Sequence, residues 1–440
     1  MNMTHTSRVA VLGLVALAAC SSSDGVGTSN ASGSASASAH SATIATYGSA
    51  PASSGAGPVG SHRTESPPLA FQNLEAQITG AEELLTKQQS DITAMSSLAG
   101  LLSARFQITA KSSDLDRQIA LGESAVSGTT RDPKAFLLRA RARAAAHRFS
   151  EALDDLAIAE RDLPDGGKEP ARASRRNVLV SLGRYDDVIA ELEKIAKDRP
   201  SIFTLGDYAY ALARMNRIED AEKAFNQAEL QFRAISPFSL VQLYFDRAYM
   251  WERAGNLELA TSIYKAAHEK LPYHVHVATH LAPLIPPSEG IAMLRALVDV
   301  TDSPDVFATL GVLENLVTPH SGDADLAKAG ELYLARYQAL PTAYADHAGW
   351  FWVGPGKDPA RAVEAAKANL ANRPTAEAYE LMLAAAEAAS DTQLLCTTAR
   401  DARSLKYGST RLAQRLTLID SQKTCEKVAL PPPASSSAPR

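Results

Sequence analysis

The chain has little cysteine, no basic excess and few aromatic residues. Three cysteines in 440 residues cannot build a disulfide scaffold or a four-cysteine zinc site. Lys+Arg number 44 against Asp+Glu 49, a formal charge of −5, so nothing favours a phosphate backbone, and nucleic acid is not an expected partner. Aromatics make up 6%, which gives weight to any place where they gather. Catalytic signatures are also missing. There is no G-x-S-x-G, and Gly354-Pro355-Gly356-Lys357 lacks the upstream glycine and following Ser/Thr of a phosphate loop. His268-Glu269 is followed by His274, the wrong spacing for a zinc-protease helix. No Cys, His and Asp arrangement stands out as a triad. The expectation is a protein that is not an enzyme and carries no cofactor.

What is present begins with an address. Arg8 precedes an eleven-residue apolar run, Val9–Ala19, which is too short for a bilayer needing about 20 residues. The run ends in Leu17-Ala18-Ala19-Cys20, which resembles the lipobox of a bacterial lipoprotein. That resemblance implies a signal peptide over 1–19, cleavage before Cys20 and lipidation of Cys20. It also implies a lipid-anchored protein of the bacterial cell envelope, and Ser21 in place of aspartate points to the outer membrane, facing the periplasm. Several acyl chains hold a protein stably where one is marginal. Residues 20–67 then read as the lipidated cysteine and a disordered Ser/Ala/Gly-rich tether. The tail over 431–440, Pro-rich and Ser-rich, reads the same way.

A length of 440 residues allows about three compact domains, unless the chain is a repeat array. Helical periodicity runs through 68–430 and strand-like alternation is absent. RFSEALDDLAIAERDLP (148–164), RYDDVIAELEKIAKDRP (184–200), NLELATSIYKAAHEKLP (256–272) and DPARAVEAAKANLANRP (358–374) align without a gap. A small or β-branched residue recurs at Ala152, Val188, Ala221, Ala260, Ala292, Ala329 and Ala362. Pro133, Pro164, Pro200, Pro272, Pro304, Pro341 and Pro374 keep the same beat. Small residues let helix axes approach. Gly183 and Gly255 fall where a helix end needs a left-handed residue. Proline cannot continue one helix but suits the first turn of the next.

At this period the chain resembles the tetratricopeptide repeat family, built of 34-residue helix–turn–helix units. The resemblance implies an all-α fold, a right-handed α-solenoid of stacked repeats, because one unit cannot bury its own apolar face. The organisation expected is N-terminal helices with a degenerate repeat over 68–132, repeats over 133–406 and a cap helix over 407–430. Helices are read at 69–88, 91–109 and 113–127. With Cys20 lipidated, Cys396 and Cys425 are the only thiols left in an exported chain, where oxidation is the default. They are expected to pair across a loop of about 30 residues, contributing roughly 3–4 kcal/mol. Two buried thiols are the alternative.

In this family the partner usually lies in the concave groove lined by first helices. Carrying the frame over places Lys134, Leu137, Arg141 and Asn177 there, followed by Phe203, Tyr210, Phe245, Tyr249, Glu252, His274, Tyr344, His347 and Phe351. Aromatic anchors serve peptide grooves, and they also pack between repeats. The resemblance therefore implies a scaffold or assembly factor binding a protein or extended peptide of the cell envelope. A competing reading starts from His268, His274, His276 and His280. The last two stand four apart on one helix, a spacing that can offer two imidazoles to one metal or small ligand.

Overall fold

The structure, a computed structural model, describes residues 62–126, 131–426 and 428–430. The expected signal peptide, Cys20, nearly all of the tether and the tail from residue 431 lie outside the described residues. Twenty α-helices and no strand occur among those described, an all-α helical-repeat solenoid. The three N-terminal helices are α1 (Pro67–Lys87), α2 (Ile92–Thr109) and α3 (Ser112–Ala125). Helix pairs follow: α4 (Pro133–Ala145) with α5 (Phe149–Asp162), α6 (Glu169–Ser181) with α7 (Ile189–Asp198), α8 (Ile202–Arg214) with α9 (Ile218–Leu230), and α10 (Phe238–Ala254) with α11 (Leu257–Lys270). A short pair, α12 (Val275–Leu281) and α13 (Pro287–Arg295), precedes α14 (Pro304–Val317) with α15 (Asp323–Ala339). Then come α16 (Pro341–Val353) with α17 (Pro359–Asn372), α18 (Ala376–Ala388) with α19 (Thr392–Ala402), and α20 (Thr410–Ser421).

Local chemistry explains the boundaries. Pro133, Pro304 and Pro341 stand at the first position of α4, α14 and α16, where the missing N–H costs nothing. Ser201 and Thr204 form a reciprocal capping box at α8. Asn256, Asp358, Thr375, Asp391 and Ser409 each accept a first-turn N–H of the helix they precede. Gly183 and Gly255 are left-handed, at φ 76° and 89°. The equivalent turns elsewhere use non-glycine residues, His147, Asn216 and Ser390, at φ 54°, 60° and 54°. Cys396 and Cys425 are joined by a disulfide, their Cα atoms 5.5 Å apart. It ties α19 to the segment after α20.

Ala152, Val188, Ala221, Ala260, Ala329 and Ala362 are all buried at helix–helix contacts. Ala292 is not; it is exposed. The close approach in that unit is made two residues earlier, where a Cβ on Gly290 would lie 2.6 Å from the Ala282 carbonyl oxygen. The shortened α12 and its Pro-rich exit shift the register, so the alanine beat slips there.

The second part of the solenoid winds back onto the first. Helix α3 meets α14–α15: Asp302 accepts the Ser112 N–H at 2.8 Å, and Arg336 forks onto Asp116 at 2.8 Å through both nitrogens. Beyond this seam the contacts keep chain order. The turn after α4 meets α16 and α17, the turn after α6 meets the start of α18, and the ends of α8 and α10 meet α18 and α20. C-terminal ends of inner helices in the first turn thus abut N-terminal ends of inner helices in the second. Opposite ends of helix dipoles face each other. We expect Gly290→Ala to lower the unfolding midpoint by the equivalent of about 1–3 kcal/mol. Ala292→Ser should stay within about 0.5 kcal/mol. Equal effects at the two sites would contradict the shifted register.

Candidate functional site

The residues assigned to the inner face differ in exposure, and one of them is open to solvent. That one is Phe203, at 45% exposure at the start of α8. Tyr210 is half-buried and carries the Arg214 guanidinium 6.0 Å from its ring centre. Phe245, Tyr249, His274 and Phe351 are buried, and Tyr344 and His347 are half-buried. Their cover is the chain itself. Phe245, His274, Tyr344 and His347 line one chamber of about 90 Å³ between the two turns, with His147, His276, Gln242, Phe106 and Asp305 completing its wall. Tyr249 stacks on Phe245 with ring centres 6.2 Å apart, while Phe351 packs on Tyr333 at 4.8 Å. Most of the groove residues read from the sequence are therefore packed against other helices of the same chain, while Phe203 stays exposed.

Hydrogen bonds fix the protonation of the wall. His274 caps α12, its Nδ1 accepting the Val277 N–H at 3.3 Å, so the proton of the neutral ring sits on Nε2. Burial, with His276 nearby, pushes His274 down to about 3. His147 donates from Nδ1 to the Thr342 carbonyl at 3.2 Å, leaving Nε2 a lone pair. Burial and then Arg373 push it down to about 3. His276 falls to about 4, again by burial. His347 behaves oppositely. Burial opposes its charge, but Asp305, 3.1 Å away, and Asp346 raise it to about 9. Burial likewise opposes ionised Asp305, yet His347 and the Tyr333 hydroxyl hold it near 2. The wall thus carries one imidazolium–carboxylate pair and three neutral imidazoles.

His280 does not join a metal site with His274 and His276. It donates to Glu252 at 2.8 Å, and among the described residues no three His, Cys, Asp or Glu side chains converge as metal donors. Glu252 also accepts from the Tyr264 hydroxyl at 3.0 Å and from Arg411 at 3.2 Å. Burial acts to raise its pKa, but His280, Arg411 and Tyr264 together hold it near 2.

The residues invisible in the sequence are those of the joint. Arg214 forks onto Glu377 at 2.7 and 2.8 Å. Arg253 reaches Glu380 at 2.5 Å and stands 3.8 Å from Glu377. Burial works against both guanidinium charges, and the facing glutamates override it. Arg214 and Arg253 end equivalent inner helices, which is a repeat-level signal, but their partners lie more than a hundred residues away. A wider hollow of about 260 Å³ between α6 and α7 is lined by Glu169, Arg175, Glu191 and Arg199. Those charges already pair among themselves, which makes the hollow a solvated ion-pair surface.

The histidines dictate a two-sided pH response. His147, His274 and His276 bind protons in the unfolded chain near pH 6.5 but resist them when folded. Their contribution is full above about 6.5 and is lost as pH falls toward 3–4. At pH 5 each should cost about 2 kcal/mol. His347 contributes fully below about 6.5 and loses that contribution as pH rises through about 9. Urea midpoints should therefore peak near neutrality, with His347→Gln flattening the alkaline limb only. A wild-type midpoint that does not change from pH 5 to pH 9 would contradict this.

No family model matches the chain, and no curated protein matches it. Among solved structures it is similar to a chain of the APC/C hetero-tetramer Cut9–Hcn1, with 13% identity over 78% of this chain and 66% of that one, at TM-score 0.42. It is also similar to the TPR domain of P58(IPK), with 15% identity over 82% and 95% at TM-score 0.27. Yeast Tom70 gives 13% identity over 82% and 95% at TM-score 0.28. The chain spans 66% of the length of the Cut9–Hcn1 chain. At these scores nothing about partner or chemistry carries across. The fold rests on the chain's own geometry: an all-α solenoid of tetratricopeptide-like helix pairs, wound into two turns that touch.

Proposed function

We propose that the protein is a membrane-anchored scaffold or assembly factor of the bacterial cell envelope that binds a protein or extended peptide on the inner face of its solenoid. One observation carries the binding part. In a chain with few aromatics, Phe203 stands 45% exposed at the start of the inner helix α8, where it can serve as an anchor for a protein partner. The anchoring part is supported by Leu17-Ala18-Ala19-Cys20 and the Ser/Ala/Gly-rich stretch behind it. No helix among the described residues is long and apolar enough to cross a membrane; on this reading the anchor is the lipid on Cys20. The acidic charge balance speaks against nucleic acid.

A second reading, a small ligand held in the chamber, is favoured by one detail. Capping fixes the neutral tautomer of His274 and leaves its Nε2–H as a donor on the chamber wall.

Fractionation of cells expressing the full chain tests the first reading. The wild type should follow the outer membrane and Cys20→Ala the soluble periplasmic fraction, while both co-purify the same envelope protein after crosslinking. Cys20→Ala remaining with membranes contradicts the anchor. Recovery of no envelope protein with either form contradicts the scaffold.

A further inference from the structure

The joint between the two turns differs from the interior of either. The apolar core of the first turn runs from Leu74 to Ile285, and those of the second from Ala308 to Ala385 and from Ala376 to Ile419. None of these three clusters spans the stacked helix ends. What spans them is mostly polar, with Tyr185 edge-on to Tyr407 at 5.4 Å as an apolar contact beside it: Arg214 with Glu377, Arg253 with Glu380, Glu252 with Arg411, Asn216 with Thr410, and Asp186 with Lys406 and Tyr407. Buried ion pairs return little more than the desolvation they cost. A joint made of them holds two bodies in register without welding them, as polar interfaces between mobile domains do.

We propose that this joint is a clasp that opens, and that the partner admitted is an acidic helical segment which takes the place of α18 on Arg214 and Arg253. The partner half of this inference rests on the inner-face reading above. Its chemistry follows from what α18 now supplies. Glu377 and Glu380 stand three apart, one helical turn, and meet two guanidinium groups at the ends of neighbouring inner helices. Tyr210 lies under Arg214, and Tyr249 and Phe245 extend the same face along α10. Separating the turns divides the chamber, since Phe245 and His274 belong to one turn and Tyr344 and His347 to the other. A replacement segment therefore needs carboxylates at i and i+3 on one helix face, as Glu377 and Glu380 stand on α18.

The test uses the full chain with spin labels at Lys223→Cys and Gln414→Cys, exposed positions on the two turns. The native pair Cys396–Cys425 is already oxidised, and Cys20→Ala removes the remaining native thiol from every form compared. Pulsed electron resonance should find a minor long-distance population in the otherwise wild-type chain and a several-fold larger one in Glu377→Gln/Glu380→Gln. A synthetic peptide copying residues 374–388 should bind that variant at least tenfold more tightly than the same peptide with both glutamates changed to glutamine. Asn216→Cys/Thr410→Cys, once oxidised, should abolish peptide binding. A single short distance in every form overturns the clasp and leaves the scaffold reading standing on other surfaces. Opening with equal affinity for both peptides overturns the acidic partner, and opening with no peptide bound counts against the inner face itself. Circular dichroism on each variant separates these outcomes from unfolding.

Discussion

The architecture depends on charges buried where helix ends meet. Arg214 and Arg253 close the last turns of α8 and α10, and Glu377 and Glu380 sit near the start of α18. Each charge suits the dipole of its own helix, cations at C-termini and an anion in the first turn. The same charges then find each other across the joint. Stripping water from any one alone would be costly, so the pairs enforce register: a second turn rotated by one helix would leave guanidinium groups buried without partners. Glu252 is the clearest case. One carboxylate joins Tyr264 on α11, His280 on α12 and Arg411 on α20, tying both turns to one point.

This stacking gives the inner face its character. In a solenoid that winds less than one turn, inner helices face solvent or a partner. Here many of them face other inner helices of the same chain, around a chamber of about 90 Å³. Its wall is arranged in detail: an imidazolium at His347 beside Asp305, and neutral rings at His147, His274 and His276. His147 occupies a left-handed position that two other units fill with Gly183 and Gly255, and its carbonyl and ring both bridge to the second turn. That is a reason for a histidine to stand where backbone conformation alone would favour glycine.

The repeat was legible because its causes are local. Small residues at close helix approaches, prolines at first turns and left-handed glycines after Ser181 and Ala254 are each set by a few neighbouring residues. The reading slipped at Ala292, where a shortened helix moved the close contact to Gly290, because register within an irregular unit depends on packing against α12 and α14. Phe245, His274, Tyr344 and His347 lie around the chamber between the turns, whereas Phe351 packs on Tyr333 within its own turn, and this burial was not foreseeable. Whether a solenoid closes on itself is a property of accumulated small rotations between repeats, and no single repeat carries it. Pairs such as Arg214 with Glu377, 163 residues apart, are invisible until the winding is known. The histidines around 274–280 drew attention as possible ligands. Their roles are instead a helix cap for His274, a chamber wall for His276 and a buried carboxylate partner for His280.

The central claim is that two turns of the solenoid touch through buried charges, and a double-mutant cycle tests it most directly. Arg214→Met, Glu377→Gln and the double variant would be unfolded by urea at neutral pH. Contact across the joint predicts a coupling energy of about 1–3 kcal/mol between the two sites. Strictly additive effects would mean that α8 and α18 do not meet in solution, and that the inner face is open after all.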